Sequence, residues 1–204
     1  MDTDSRQIVV ASGNRGKILE IAHLLEALRL TVIPQGDLGI AAAEETGSTF
    51  VENALLKARH AARLSGRPAL ADDSGLAVDA LDGRPGVRSA RYAGEDASDA
   101  DNIARLLAEL SGVAEADRGA AFHCAVAFVR DADDAAPIVA EGLWRGRILE
   151  MPAGRGGFGY DPVFLDVASG RVAAGMTPAE KNARSHRGQA FEALFERLEA
   201  ELEP

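Results

Sequence analysis

The stretch AAFHCAVAFV, residues 120–129, is apolar at odd and even positions alike. Alternate residues of a strand face opposite sides, so a strand of this composition is buried on both faces. It belongs in the middle of a sheet with helices on either side, and the chain supplies them. After a short apolar strand at residues 8–11 and the turn Ser12-Gly13-Asn14, the residues Ile18, Leu19, Ile21, Ala22, Leu25 and Leu28 recur at helical spacing. Thr49-x-x-Glu52 is a capping box ahead of a helix containing Val51, Ala54, Leu55, Ala58 and Ala62. Ser98 opens a third helix that runs to about residue 110. Thr177-Pro178-Ala179-Glu180 combines a cap, a proline at the first helical position and a capping glutamate. A final amphipathic helix follows, with Phe191, Leu194, Phe195, Leu198 and Leu202 on its apolar face. PALADDSGLAV reads as strand, acidic turn and extended segment, and PIVAEGLWRGRILE pairs with the central strand after the turn DADDAA. These elements predict an α/β fold on a mixed sheet.

The chain has 204 residues, enough to bury roughly 70% of its unfolded surface in one substantial core. It therefore reads as a single domain over residues 1–204, with room for two lobes. The formal charge of −10 argues against nucleic acid or anionic membrane as partners, since both demand a basic surface. A small polyanion needs only local donors and cations, so it stays possible. Cys124 has no intrachain disulfide partner and lies in an apolar run, where it reads as a small core residue. MDTDSRQ lacks the basic and apolar regions of a signal peptide, and the longest apolar run is too short to span a bilayer. A cytoplasmic protein is expected.

Four clusters exceed what packing requires. The first is ASGNRGKILE, a strand, a glycine-containing turn, a lysine and a helix. That order presents turn amides and a helix N-terminus to an anion, and an ordinary strand-to-helix turn would look similar. It is not a Walker A motif. The second comprises the pairs Glu44-Glu45 and Asp72-Asp73, read either as solvated loop acids or as ligands of a hard cation such as Mg²⁺. The third is AGRGGFGYDPVFL, residues 153–165, where Gly154, Gly156 and Gly159 formally spell a dinucleotide fingerprint. That fingerprint works only where it opens a helix. Here Tyr160-Asp161-Pro162-Val163-Phe164 reads as a strand instead, so the cofactor reading loses its mechanism. Phe158 and Tyr160 are either core or a stacking platform for a base, with Asp161 beside them. The fourth is EKNARSHRGQAF, in which Lys181, His186 and Arg187 converge before the last helix and Ser185-His186-Arg187-Gly188 is a break between two helical patterns. His23, His60 and His123 sit within regular elements and read as structural.

Together these clusters resemble one family, the noncanonical purine nucleoside triphosphate pyrophosphatases, or inosine triphosphatases. The likeness runs in order through ASGNRGK, AEETGSTFVENALLKARHAA, ADDSGLAVDALDGRPGVRSARYAGEDA, GGFGYDPVF and EKNARSHRGQA, nearly the whole chain. It implies a two-lobed α/β fold around a long mixed sheet with the active site in the cleft between lobes. It also implies a Mg²⁺-dependent enzyme, usually a homodimer. Such enzymes split inosine, deoxyinosine and xanthosine triphosphates into monophosphate and pyrophosphate, keeping deaminated purines out of nucleic acids. Carried over by motif, Ser12, Gly13, Asn14, Arg15, Gly16 and Lys17 bind the triphosphate, with Lys57 a further phosphate contact. Glu44 and Asp73 serve the metal, Asp73 is the proton acceptor, and Ser74 touches substrate. Phe158, Gly159, Tyr160, Asp161, Lys181, His186 and Arg187 hold the nucleotide. Many relatives have threonine where this chain has Ser12, a change that keeps the hydroxyl. Two rivals are a house-cleaning pyrophosphatase for modified pyrimidine nucleotides and a non-catalytic nucleotide sensor. The His-Arg element with FGYD favours a purine reader, and a sensor has no need of the acidic cluster.

Overall fold

The computed structural model describes residues 7–25 and 30–202. In chain order the elements are β1 (Gln7–Val10), α1 (Arg15–Leu25), β2 (Thr31–Pro34), α2 (Phe50–Ser65), β3 (Ala69–Val78), α3 (Asp99–Glu109), β4 (Gly119–Val129), β5 (Ile138–Ile148), β6 (Phe164–Asp166), β7 (Arg171–Val172), α4 (Pro178–Asn182) and α5 (His186–Leu202). The strands form one sheet in the order β2-β1-β3-β4-β5-β6-β7, with β4 in the middle as its two-faced apolar sequence predicts. β1 runs parallel to β2 and β3, while β6 is antiparallel to β5 and β7, so the sheet is mixed. Leu28 lies outside the described residues, as does the side chain of Leu202.

The chain divides into two compact units. The first holds residues through Asp73, Cys124–Glu141 and the chain from Ala190 onward; the second holds Ser74–His123 and Gly142–Gln189. β3, β4 and β5 each contribute one part to each unit.

In the first unit the period of two decides which helix each strand residue meets. Ile8, Val10, Leu70, Cys124 and Val126 join a core with Ile21 and Leu25 of α1 and Phe191 and Leu194 of α5. Their neighbours Val9, Ala11, Ala69, Ala71, Ala125 and Ala127 join a separate core with Ala54, Ala58 and Ala61 of α2. The alanine-rich face lets α2 lie close to the sheet. Cys124 is a buried core residue, 2% exposed. The second unit has its own core, formed by Leu76 and Val78 of β3, Leu106 of α3, Phe122, Trp144, Ile148 and Phe164.

The three helix starts expected at Thr49, Ser98 and Thr177 all form, each as a capping box. Thr49 and Glu52 close the start of α2, Ser98 and Asp101 that of α3, and Thr177 and Glu180 that of α4, each with both reciprocal bonds. At the other end of α3, the buried guanidinium of Arg118 donates to the carbonyls of Leu110 and Val113. Among the described residues no helix is long and apolar enough to cross a membrane.

Three local expectations are corrected. ADDSG is not a turn, because β3 runs unbroken from Ala69 to Val78 and the two aspartates sit mid-strand. Tyr160–Phe164 is not wholly strand, because Asp161–Val163 form one 3₁₀ turn closed by Val163 N–H on the Tyr160 carbonyl, and β6 starts at Phe164. Pro162 has no N–H to give a sheet ladder, which fits it to that turn. His186 and Arg187 do not form a break before the last helix; they open α5, with the Ser185 hydroxyl accepting from Gly188 N–H at 3.1 Å as a helix cap. Gly188 is required there, since a Cβ would fall 1.7 Å from the Asn182 carbonyl oxygen of α4.

Candidate functional site

In the first unit the strand order reverses at β1, which lies between β2 and β3. Open α/β sheets place ligands beyond the carboxyl ends of strands at such a point, because the two connections leave in opposite directions there. The turn after β1 is Ser12-Gly13-Asn14. The Ser12 hydroxyl accepts from Asn14 N–H, and the Asn14 side chain accepts from Lys17 N–H at 3.1 Å, capping α1. Gly13 has no neighbour within 4 Å of where a Cβ would be, so packing within the protein does not demand glycine there. Arg15 and Gly16 begin α1; the Arg15 side chain lies outside the described residues.

Asp72 and Asp73 follow the strand alternation. Asp72 shares a face with Leu70, the face covered by α1, and its carboxylate meets Lys17 Nζ at 3.1 Å. Asp73 shares a face with Ala71, the face covered by α2, and its carboxylate meets Lys57 Nζ at 2.8 Å. Two adjacent acids are thus separated by the pleat, each compensated by a lysine from the helix on its own side. Both are buried, Asp72 at 1% and Asp73 at 5% exposure.

The second Asp73 oxygen accepts from the Asn53 amide at 3.2 Å, while the Asn53 carbonyl accepts from Gly47 N–H at 2.8 Å. The Gly47 bond fixes which way the amide points. Lys57 also donates to Glu45 at 2.8 Å, so a single ammonium bridges Glu45 and Asp73. Glu44, the expected metal carboxylate, is exposed; its neighbour Glu45 is the acid that shares a cation with Asp73. Burial pushes the Asp73 carboxyl above its ordinary value, and Lys57 and Lys17 offset only part of that rise. Burial also opposes the Lys57 charge, but Asp73, Asp72 and Glu45 outweigh it and hold the ammonium above its ordinary value. A carboxylate raised by desolvation and held by a specific donor and cation is poised to take a proton.

Among the described residues no three His, Cys, Asp or Glu side chains gather as a metal cluster. Mg²⁺ does not require one, since it keeps several waters and usually takes one or two carboxylates plus substrate phosphate. Glu45 and Asp73, already bridged by one cation, fit that demand.

The second unit assembles the remaining residues. Ser74, the next residue of β3, has its hydroxyl 3.5 Å from an Arg187 nitrogen. Lys181 Nζ donates to Asp161 Oδ2 at 2.6 Å and lies 4.5 Å from the centre of the Phe158 ring, with the Arg187 guanidinium 5.7 Å from it. Phe158 therefore presents an aromatic face bordered by two cations. His186 stacks on Phe122 at 4.8 Å and 10°, and on Trp144 at 6.4 Å and 16°. Tyr160 is core: it is 4% exposed and its hydroxyl donates to the Ser89 carbonyl at 2.9 Å. Only Phe158 of the aromatic pair is available for stacking. Lys181, placed by the resemblance among the residues that hold the nucleotide, pairs with Asp161. Asn53, Phe122 and Trp144 are not marked by the sequence, because nothing in their local patterns separates them from ordinary core positions.

The Ham1 family model matches residues 8–197. The dITP/XTP pyrophosphatase of Methylococcus capsulatus is 59% identical over 195 residues, covering 96% of this chain and 97% of that protein. The solved structure of a HAM1 protein from Coxiella burnetii is similar with a TM-score of 0.87 and 49% identity, covering 95% of this chain and 98% of that one. The Ham1 protein of Staphylococcus aureus is similar with a TM-score of 0.84 and 40% identity, over 96% and 99% of the two chains. Two independent likenesses, in sequence across nearly all of both chains and in fold at high identity, lead to one conclusion: this chain belongs to the Ham1 family.

Proposed function

We propose that this protein is a Mg²⁺-dependent nucleoside triphosphate pyrophosphatase that hydrolyses deaminated purine nucleotides, inosine and xanthosine triphosphates and their deoxy forms, to monophosphate and pyrophosphate. The observation that carries the reading is Asp73, a buried carboxylate with a raised pKa, held by Asn53 and by a lysine that also binds Glu45. The 59% identical relative named dITP/XTP pyrophosphatase supports the substrate class. The match over residues 8–197 supports one domain spanning the chain.

The turn 12–14, the first amides of α1, and Lys17 and Lys57 hold the triphosphate, whose roughly four negative charges suit a helix N-terminus and cations. Glu45 and Asp73 hold Mg²⁺, which supplies charge stabilisation on the phosphoryl oxygens and the pyrophosphate leaving group. Glu45 takes this role beside Glu44, the exposed neighbour that the resemblance assigns to the metal. Asp73 orients a water and accepts its proton. The water oxygen adds to phosphorus, the α,β-anhydride bond breaks, and its electron pair leaves with the departing phosphate oxygen. No serine, cysteine or histidine nucleophile is needed.

Phe158 stacks the base, while Asp161, Lys181, His186 and Arg187 read its edge. Hypoxanthine offers a 6-oxo acceptor and an N1–H donor, and adenine reverses both polarities. The Asp161 carboxylate and the Arg187 guanidinium match the first pattern and leave the second unpaired. The enzyme acts as a cytoplasmic homodimer on free nucleotides, and its net charge of −10 fits that better than a nucleic-acid or membrane partner.

The test is pyrophosphate release with Mg²⁺ from ATP, GTP, CTP, UTP, ITP and XTP. ITP and XTP are expected to exceed ATP by roughly 10⁴-fold in kcat/KM, the scale that unpaired polar groups impose. Excess chelator is expected to stop turnover. Equal rates on ITP and ATP would remove the base-reading assignment, and full rate in chelator would remove the metal.

A further inference from the structure

We propose that Asp99, the first residue of α3, is a positioning residue for the loop 157–161, fixing Phe158 and Asp161 for purine recognition; the proposal rests on the base-reading assignment above. The Asp99 carboxylate accepts from Gly159 N–H at 2.7 Å, across sixty residues of sequence. Its helix does not need that carboxylate. The α3 N-terminus is closed by the reciprocal bonds of Ser98 and Asp101, which leaves Asp99 to reach the loop.

The loop is shaped from inside by one carboxylate. Asp161 Oδ2 accepts from Phe158 N–H at 3.0 Å and from Lys181 at 2.6 Å. Gly157 leaves space for it, since a Cβ there would fall 2.1 Å from the same oxygen. Gly159 takes a left-handed φ of 59°, which turns its N–H to Asp99. Besides the Lys181–Asp161 bond, two ties join the loop to the rest of the second unit around the reading residues. The Tyr160 hydroxyl binds the Ser89 carbonyl on one side, and Asp99 holds the peptide between Phe158 and Gly159. The bond is charge-assisted and short, at 2.7 Å, and it lies at the surface. Without it Phe158 keeps its own N–H bond to Asp161, and the Phe158–Gly159 peptide loses its bond to α3. The consequence falls on the base and spares the phosphates.

Binding of inosine monophosphate, adenosine monophosphate and inorganic tripolyphosphate to the full-length protein tests this by calorimetry, in wild type, Asp99→Ala and Asp99→Asn. Asp99→Ala is expected to weaken inosine monophosphate about tenfold and tripolyphosphate less than twofold, with the loss on inosine triphosphate appearing in KM and leaving kcat. Asp99→Asn keeps an acceptor oxygen and is expected to recover most of the affinity. A merely structural role would weaken both ligands together in step with melting temperature. That result, or unchanged binding of inosine monophosphate in Asp99→Ala, overturns the role of Asp99 alone. Equal binding of the two monophosphates by the wild type overturns the base-reading assignment, and the proposal falls with it.

Discussion

Asp73, the proposed proton acceptor, shows how neighbours set the chemistry of one carboxylate. Its backbone position is ordinary strand, yet the side chain points to the α2 face, where Asn53 and Lys57 hold one oxygen each. Burial is the largest influence on it and raises the pKa above the usual 3.8. A carboxyl whose pKa is higher in the folded than in the unfolded state favours folding while protonated, and that contribution is lost as pH rises through the folded value. At neutral pH its ionisation therefore works against the fold. Asp73→Asn is expected to lower turnover by about 10³-fold or more, the scale of a lost general base. The melting temperature at pH 7 should stay equal or rise. Retained turnover would take Asp73 out of the mechanism, and a fall of many degrees would show that its charge is needed for folding.

At the scale of the element, α4 is a five-residue helix that depends on its cap. An isolated helix this short is unstable, so the reciprocal bonds of Thr177 and Glu180 carry weight beyond their number. Thr177→Ala is expected to cost about 1 kcal/mol, which for a chain of this size lowers the melting temperature by roughly 2–4 °C. Since α4 also carries Lys181, KM for inosine triphosphate should rise in the same variant. The cap has a pH signature as well. The Thr177 amide, then the Arg171 guanidinium and the Thr177 hydroxyl, bring Glu180 from 4.5 down to about 2. A depressed carboxylate contributes stability above its unfolded pKa and loses it as pH falls towards the folded one. The melting-temperature gap between wild type and Glu180→Ala should therefore be full above about pH 4.5 and close between there and about pH 2. A gap that persists at pH 2 would contradict the carboxylate as its source.

The whole molecule carries a formal charge of −10, and several of its acids sit beside one another in sequence. Self-repulsion of that kind weakens a compact state at low ionic strength and is screened within about 10 Å at 0.1 M salt. The melting temperature is expected to rise as sodium chloride is raised from low millimolar to physiological strength. A fall over that range would mean that attractive ion pairs, such as Lys57 with Asp73 and Glu45, outweigh the net repulsion.

Much of the fold is legible in the order of the residues. The two-faced apolar run of residues 120–129 places β4 in the centre, and the caps at Thr49, Ser98 and Thr177 place the starts of α2, α3 and α4, because these signals are local and each cap is satisfied by residues three or four apart. The motifs likewise mark Asp73, Lys57, Asp161, Lys181 and Arg187 as candidate site residues. Their pairing is not legible. By sequence Asp72 and Asp73 stand in a turn as a repelling pair in want of a cation, whereas continuous β3 sends them to opposite faces, each to its own lysine. The motif marks Lys181 without showing its partner, and α4 brings it to Asp161. Nothing local marks Asn53 and Asp99, whose partners lie twenty and sixty residues away. Residue type and local period are written in the order of the chain and fix which elements form. Which side chain meets which depends on strand register and helix placement, and those are settled only when the cores close.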